Sequence, residues 1–400
     1  MTVIWRRALF RRLLPAAMLL ALTTVTLAAE PTEIRIGYLR VPALKTAISL
    51  LDVPPDNDGV AGARLAIEDN NTTGKFLNQR FVLDEVRLKD SDDPAAAVTA
   101  LAARSIAIVI ADLPPDALLK AADAGRDLIF FNAGATDDRL REEDCRANVI
   151  HTAPTRSMLA DGLAQYLVWK KWRRWLFVTG SHPKDKLYAD ALRRAAARFG
   201  AKIVQEREFA DTGGARRTDS GIVQIQRQIP VFTQSAPDYD VLVAADESEV
   251  FAGYLPYRTW DARPVVGSAG LIPRSWDPAH DQWGANQLQN RFVAMFQRRM
   301  SALDGQAWAA ARMIGEAASR KRTSDPMAMM EYFKSPDFTL AAFKGQRLTL
   351  RDWNLQLRQP ILLADGRVIV SVSPQEGFLH QVSELDTLGY DRPETKCRLK

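Results

Sequence analysis

The chain has 400 residues, 47% of them hydrophobic and 25% charged, a balance that suits a globular protein and excludes a fibrous or disordered one. Its formal net charge is +5, yet four arginines and no acid fall in the first 29 residues, which leaves +1 for the rest. Nucleic-acid binding, which needs a basic face on the folded domain, loses its support. About 370 residues remain beyond that leader, more than a single core usually organises, so two lobes are expected.

The leader opens with Arg6, Arg7, Arg11 and Arg12, continues as an apolar run from Leu13 to Leu27 and ends on Ala28-Ala29. The run is about 15 residues with Thr23, Thr24 and Thr26 inside it, short of the roughly 20 that a spanning helix needs. It reads as a cleavable export signal, residues 1–29, with a periplasmic mature chain. A buried N-terminal helix is the alternative, and paired arginines at its start argue against it. Arg6-Arg7 leave both the general and the twin-arginine export routes open. No cysteine follows the cleavage site, so no thiol is present there to carry a lipid.

Ile34 to Leu39 alternates and reads as a strand, and Gly59 to Asn71 places Val60, Ala63, Ala66 and Ile67 at helical spacing. Phe81 to Leu88 returns to a strand. Pro94 to Arg104 is alanine-rich and opens with proline, as a first helical turn allows. Ile106 to Ala111 is a β-branched run of the kind buried in a parallel sheet. Asp116 to Gly125 then reads as a helix and Leu128 to Phe131 as a strand, the rhythm of a doubly wound α/β lobe.

A second round begins after Val149-Ile150-His151. Met158 to Trp169 is expected as a helix, Trp175 to Thr179 as a strand, Lys186 to Phe199 as a helix stopped by Gly200, and Lys202 to Glu206 as a strand. Val241 to Ala245 and Pro264 to Gly267 supply two more strands, and Asp211 to Gly221 reads as a loop. Lys170-Lys171-Trp172-Arg173-Arg174 reads as an exposed helix end, with a membrane or acidic-partner patch as the rival. Ala307 to Arg320 is a helix that could return the chain to the first lobe. Leu348 to Val372 reads as strands turning at Ala364-Asp365-Gly366.

Two cysteines, Cys145 and Cys397, stand in a chain expected in an oxidising compartment, so a disulfide tying the tail to the middle is expected; two separate buried thiols is the alternative. His151, His182, His280 and His380 show no ligand spacing, and no metal or cofactor is expected. There is no GxSxG, P-loop or HExxH motif. Gly213-Gly214 lacks the setting of a phosphate cradle and reads as a flexible turn. The pairs Asp137-Asp138 and Glu142-Glu143 are expected to be solvated.

Ligands of open α/β sheets bind beyond the carboxyl ends of strands. That rule selects Asp246 and Glu247, the loop Asp112-Leu113-Pro114-Pro115, the loop Asn132 to Thr136, and Thr179-Gly180-Ser181-His182. In the second loop, Gly134 and Ala135 leave room for backbone amides to approach a ligand, and Thr136 offers a hydroxyl. An ordinary turn with Thr136 as a helix cap is the other reading.

The stretches GVAGARLAIEDNN, NAGATDDRL and WLFVTGSHPKDKLYADALRRAAARFGAKIV, in that order behind an export signal, resemble the type I periplasmic solute-binding proteins of the branched-chain amino acid class. PVVGSAGLIPRSWDPAHDQWGANQLQNRF and ALDGQAWAAARMIGEAASR further resemble a branch found with PQQ-dependent alcohol dehydrogenase systems. The resemblance implies two doubly wound α/β lobes joined by three crossovers, expected near Val149 to Thr152, Gln282 to Leu288 and Asn354 to Arg358. Residues 30–150 and 288–355 would form lobe 1, residues 151–287 and 356–375 lobe 2, and residues 376–400 a tail. It also implies a monomer that closes on a small solute and meets an ABC permease in the inner membrane. In such relatives, hydroxyls and backbone groups hold a ligand carboxylate and an acid holds its ammonium. This chain keeps Gly134, Ala135 and Thr136 but has Pro114 where a serine is expected and Ala269 where the acid is expected. Tyr188 matches a cleft aromatic, although a tyrosine there could simply cap the core. A small neutral or acidic solute is therefore expected rather than a free α-amino acid. The rival functions are an accessory or sensor protein touching a periplasmic PQQ dehydrogenase, and an enzyme, which lacks any supporting constellation.

Overall fold

The computed structural model describes residues 30–42, 53–211 and 225–399; the export signal, Gly213-Gly214 and nearly all of the loop from Asp211 to Gly221 lie outside them. The chain opens with β1 (Thr32–Arg40), α1 (Val60–Gly74), β2 (Gln79–Arg87), α2 (Pro94–Ala103), β3 (Ile108–Asp112), α3 (Pro115–Ala124), β4 (Ile129–Asn132) and β5 (Val149–His151). These strands form one parallel sheet in the order β2-β1-β3-β4-β5. The buried run Ile108, Val109, Ile110 and Ala111 occupies its centre, as a strand covered on both faces requires. Pro94 starts α2 in the one place where its missing N–H is harmless, and the Asp93 carboxylate accepts the amide of Ala95.

The second lobe follows with α4 (Arg156–Trp169), β6 (Arg174–Gly180), α5 (Pro183–Phe199), β7 (Lys202–Phe209), α6 (Ile225–Thr233), β8 (Val241–Ala245), α7 (Leu255–Arg258) and β9 (Val265–Gly267). Its parallel sheet runs β7-β6-β8-β9. Gly200 ends α5 with φ 75°, a left-handed turn that costs glycine nothing. The basic run from Lys170 lies where α4 gives way to β6, with Arg174 paired to Asp238 and Asp240.

The short strand β10 (Ile272–Arg274) precedes the return of the chain as α8 (Ala285–Phe296), α9 (Ala302–Lys321), α10 (Pro326–Lys334) and the small hairpin of β11 (Leu340–Ala341) and β12 (Arg347–Leu348). Helix α9 is the central prop of lobe 1. Ser301 and Asp304 cap it reciprocally, and α1 lies so close that a side chain on Gly62 would meet the Asp304 carbonyl at 1.9 Å. Strands β13 (Ile361–Ala364) and β14 (Ile369–Ser373) then add to β10 as an antiparallel sheet on lobe 2.

Three segments carry the chain between the lobes. His151 pairs with Gln356, and its amide donates to the Leu355 carbonyl at 3.0 Å, so the first and third run side by side. The middle one does not lie at Gln282 to Leu288. Arg274 still pairs with Leu362 in lobe 2, whereas Trp276 is already in the lobe 1 core, so the chain crosses at 274–276 and residues 275–287 belong with lobe 1. Strand β10 is three residues around Pro273 and finds its partner roughly 90 positions later; no local period announces such a strand.

Cys145 and Cys397 are bonded to each other, closing a separation of 252 residues. The tail lies against both lobes. The Gly389 amide donates to Asp161 in α4, and Glu142, between β4 and β5, accepts from Thr395 and from the Lys396 amide.

Candidate functional site

Loops at the carboxyl ends of β4 in lobe 1 and β8 in lobe 2 meet at one residue, Arg156, the first residue of α4. Its amide donates to the Thr136 carbonyl at 2.9 Å, and its guanidinium bonds Asp137 at 2.9 Å. On the other side, Nε and Nη2 bond Glu247 at 2.7–3.0 Å. Arg156 is only 4% exposed. Burial works against its charge, but Glu247 and then Asp137 outweigh it and hold the guanidinium above its ordinary pKa. Burial likewise pushes the Glu247 carboxyl up, with Arg156 opposing. Tyr188, buried in α5, is an electrostatic neighbour of both; burial and then Glu247 push its phenol up. Thr136, Asp137, Arg156, Tyr188 and Glu247 therefore form one constellation between the two sheets.

The structure separates the other sequence candidates from this cluster. Asp246 is 1% exposed and its carboxylate accepts the amides of Val250, Phe251 and Ala252 at 2.7–2.9 Å, so it caps its own loop. Burial raises its pKa against those three donors. Ala269 packs in a lobe 2 core with Leu176, Val178 and Phe251, on the sheet face opposite Trp175 and Phe177. Pro114 is exposed and serves as the entry to α3, its carbonyl accepting from Leu118. The Ser181 hydroxyl accepts the Asp211 amide at 3.0 Å, beside the bond from His182 to the Asp211 carboxylate.

Gly134 has a structural reason of its own, because an added Cβ would lie 2.4 Å from an Asp112 carboxylate oxygen. Ala135 is held from both ends by Asn132, whose side chain accepts its amide and donates to its carbonyl. Thr136 is not a helix cap: the 3-10 turn that follows, Asp138–Arg141, has Asp137 at its cap position and no side-chain cap bond.

The acidic pairs expected to be solvated are not. Asp137 bonds Arg156, Asp138 accepts the Ser157 amide with burial pushing its carboxyl up, and Glu142 is buried under the tail. Only Glu143 is exposed. The reason is local, since the chain turns back on itself between β4 and β5 and the tail covers the turn. Arg156 is the residue that sequence reasoning missed. A signal existed: a cation in the first turn opposes the helix dipole, so an arginine there calls for nearby acids. Behind the cluster, Arg141 donates to the carbonyls of Ala135, Asp137 and Ala153 and to the Gln356 amide oxygen, tying the β4 loop to two crossovers.

Two parallel α/β lobes whose strand ends face one another across such a cluster define a two-lobed binding fold. A family model for periplasmic binding proteins matches residues 53–252, half of the chain, and the protein belongs to that family, one of binding proteins rather than enzymes. Solved structures agree on the fold. A periplasmic binding protein from Burkholderia mallei is 15% identical, with a TM-score of 0.64, covering 93% of this chain and 100% of its own. A leucine-, isoleucine-, valine-, threonine- and alanine-binding protein from Brucella ovis in a closed conformation is 12% identical, with a TM-score of 0.66 and coverage of 93% and 100%. A solute-binding protein of an ABC transporter from R. palustris, in complex with benzoate, is 13% identical, with a TM-score of 0.62 and coverage of 92% and 100%. No curated protein sequence matches the chain. No helix among the described residues is long and apolar enough to cross a membrane.

Proposed function

We propose that this protein is the solute-binding component of an ABC importer, exported by its N-terminal signal and handing its ligand to an inner-membrane permease. The observation that carries the reading is the meeting of β4 and β8 strand ends at Arg156, which gives a small solute donors and acceptors from both lobes. The ligand contacts are Thr136, the Gly134 backbone, Tyr188, Arg156 and Glu247; the Ala135 amide and carbonyl are taken by Asn132 and Arg141. Arg156 and Glu247 already satisfy each other, and no acid stands at Ala269, so a compact oxygen-rich solute, neutral or acidic, suits the cleft better than a zwitterionic leucine. The two segments running from Pro264 and from Ala302 carry a finer proposal, a link to PQQ-dependent alcohol oxidation.

A thermal-shift screen of the mature protein against amino acids, short alcohols, aldehydes and carboxylates tests the ligand class. Saturation at 100 times Kd adds about 2.7 kcal/mol to the folded state. Thr136→Ala is expected to weaken the true ligand by about 1–3 kcal/mol. Calorimetry that gives micromolar or tighter leucine binding would overturn the ligand class. A second reading, an accessory or sensor protein of a periplasmic PQQ dehydrogenase, is favoured by the mutual pairing of Arg156, Asp137 and Glu247, which leaves no spare charge for a transported zwitterion. Pull-down from periplasm decides between them: a permease supports transport, and a dehydrogenase supports the accessory role.

A further inference from the structure

The three crossovers enclose a cavity of about 20 Å³. Thr152 comes from the first, Ser275 and Trp276 from the second, Gln359 from the third, and Lys344 from the turn between β11 and β12. One water needs on the order of 10–15 Å³ on this measure, so the space suits a single water or a monatomic ion and excludes a polyatomic solute.

Lys344 is 7% exposed, and its ammonium donates to the Gln359 amide oxygen at 2.6 Å. An ammonium carries three donors, and a buried one calls for a counter-charge. Among the described residues no carboxylate lines this cavity. Trp276 also lines the cavity, and its indole N–H is buried with no acceptor among the described residues. The nearby polar groups are engaged elsewhere: Gln359 donates to the Thr152 carbonyl at 2.8 Å and Gln306 to Ser275 at 2.7 Å. The remaining titratable groups on this side are His280, Asp277 and Asp281. His280 bonds the Phe343 carbonyl at 2.8 Å; burial, opposed by that bond and reinforced by Lys344, holds its ring below the ordinary imidazole range.

We propose that this cavity is a halide site, in which one chloride-sized anion is held by the Lys344 ammonium and the Trp276 indole N–H where the three crossovers meet. The anion supplies the charge that the lining residues lack, and it would brace the hinge from within. Because burial pushes Lys344 down to about 7, anion binding recruits a proton as pH rises. At pH 8 only about a tenth of the lysine is charged beforehand, so halide affinity is expected to be roughly tenfold weaker there than at pH 6.

Crystals of the full mature chain soaked in bromide, measured at the bromine edge, are expected to show an anomalous peak within hydrogen-bond reach of Lys344 Nζ. In solution, sodium chloride is expected to raise Tm above sodium gluconate at equal ionic strength, with the half-effect concentration shifting roughly tenfold between pH 6 and pH 8. Lys344→Met, folded by circular dichroism, is expected to lose both effects. A water without anomalous signal in the cavity, equal melting in chloride and gluconate, or a chloride response retained in Lys344→Met would each overturn the proposal; if that variant fails to fold, the bromide map of the unaltered protein decides alone.

Discussion

Arg141 and Arg156 are both buried, both touch the segment 135–137, and are held in opposite ways. Arg141 bonds three carbonyls and an amide oxygen with no direct carboxylate partner among the described residues, and burial pushes it down to about 9 despite Asp138 and Asp137 nearby. Arg156 bonds two carboxylates from different lobes and is held above its ordinary range. Neutral acceptors fix a guanidinium in one geometry, because each of several backbone groups would be orphaned if it left. Carboxylate partners on flexible side chains can be exchanged for the polar groups of a ligand. The first arrangement therefore belongs to the scaffold and the second to the site.

Four variants break or sharpen that contrast. Arg141→Met should cost the most, about 4 kcal/mol, because it strands several buried acceptors; chemical denaturation measures it, and a loss below about 1 kcal/mol would remove Arg141 from the scaffold. Replacing Cys145 and Cys397 together by serine should cost about 3 kcal/mol, within the range usual for a native disulfide, read from the shift in denaturation midpoint relative to the parent. Arg156→Met should cost about 2 kcal/mol of stability but a larger factor in ligand affinity, so calorimetry and melting must diverge; parallel losses would assign it to the scaffold. Glu247→Gln keeps shape and one acceptor, so stability should change by less than about 1 kcal/mol while ligand affinity moves. Unchanged affinity in Glu247→Gln would take this residue out of the cleft.

The parallel strands and the helices between them were legible because buried β-branched runs and alanine-rich segments carry strong local periods, as at Ile108–Asp112 and Pro94–Ala103. Elements held by distant partners were not. Strand β10 depends on β13, and α6 carries Pro230 inside a helix, which reads as a break. The strand-end rule selected Thr136, Glu247 and Asp246 alike, since sequence does not reveal that the Asp246 carboxylate accepts three amides of its own loop. Arg156 was hidden because the apolar period of α4 begins two residues later, at Met158.

The tail gives the lobes a connection that the three crossovers do not. Its Gly389 amide is fixed on α4 of lobe 2, and its Thr395 and Cys397 are fixed on the β4–β5 turn of lobe 1, the latter covalently. Thr395 lies six positions beyond Gly389, and extended chain spans at most about 3.6 Å per residue, so this strap reaches roughly 20 Å. Only the lobe 1 anchor is covalent, so reducing the disulfide would free that end of the strap while leaving the three crossovers unaltered.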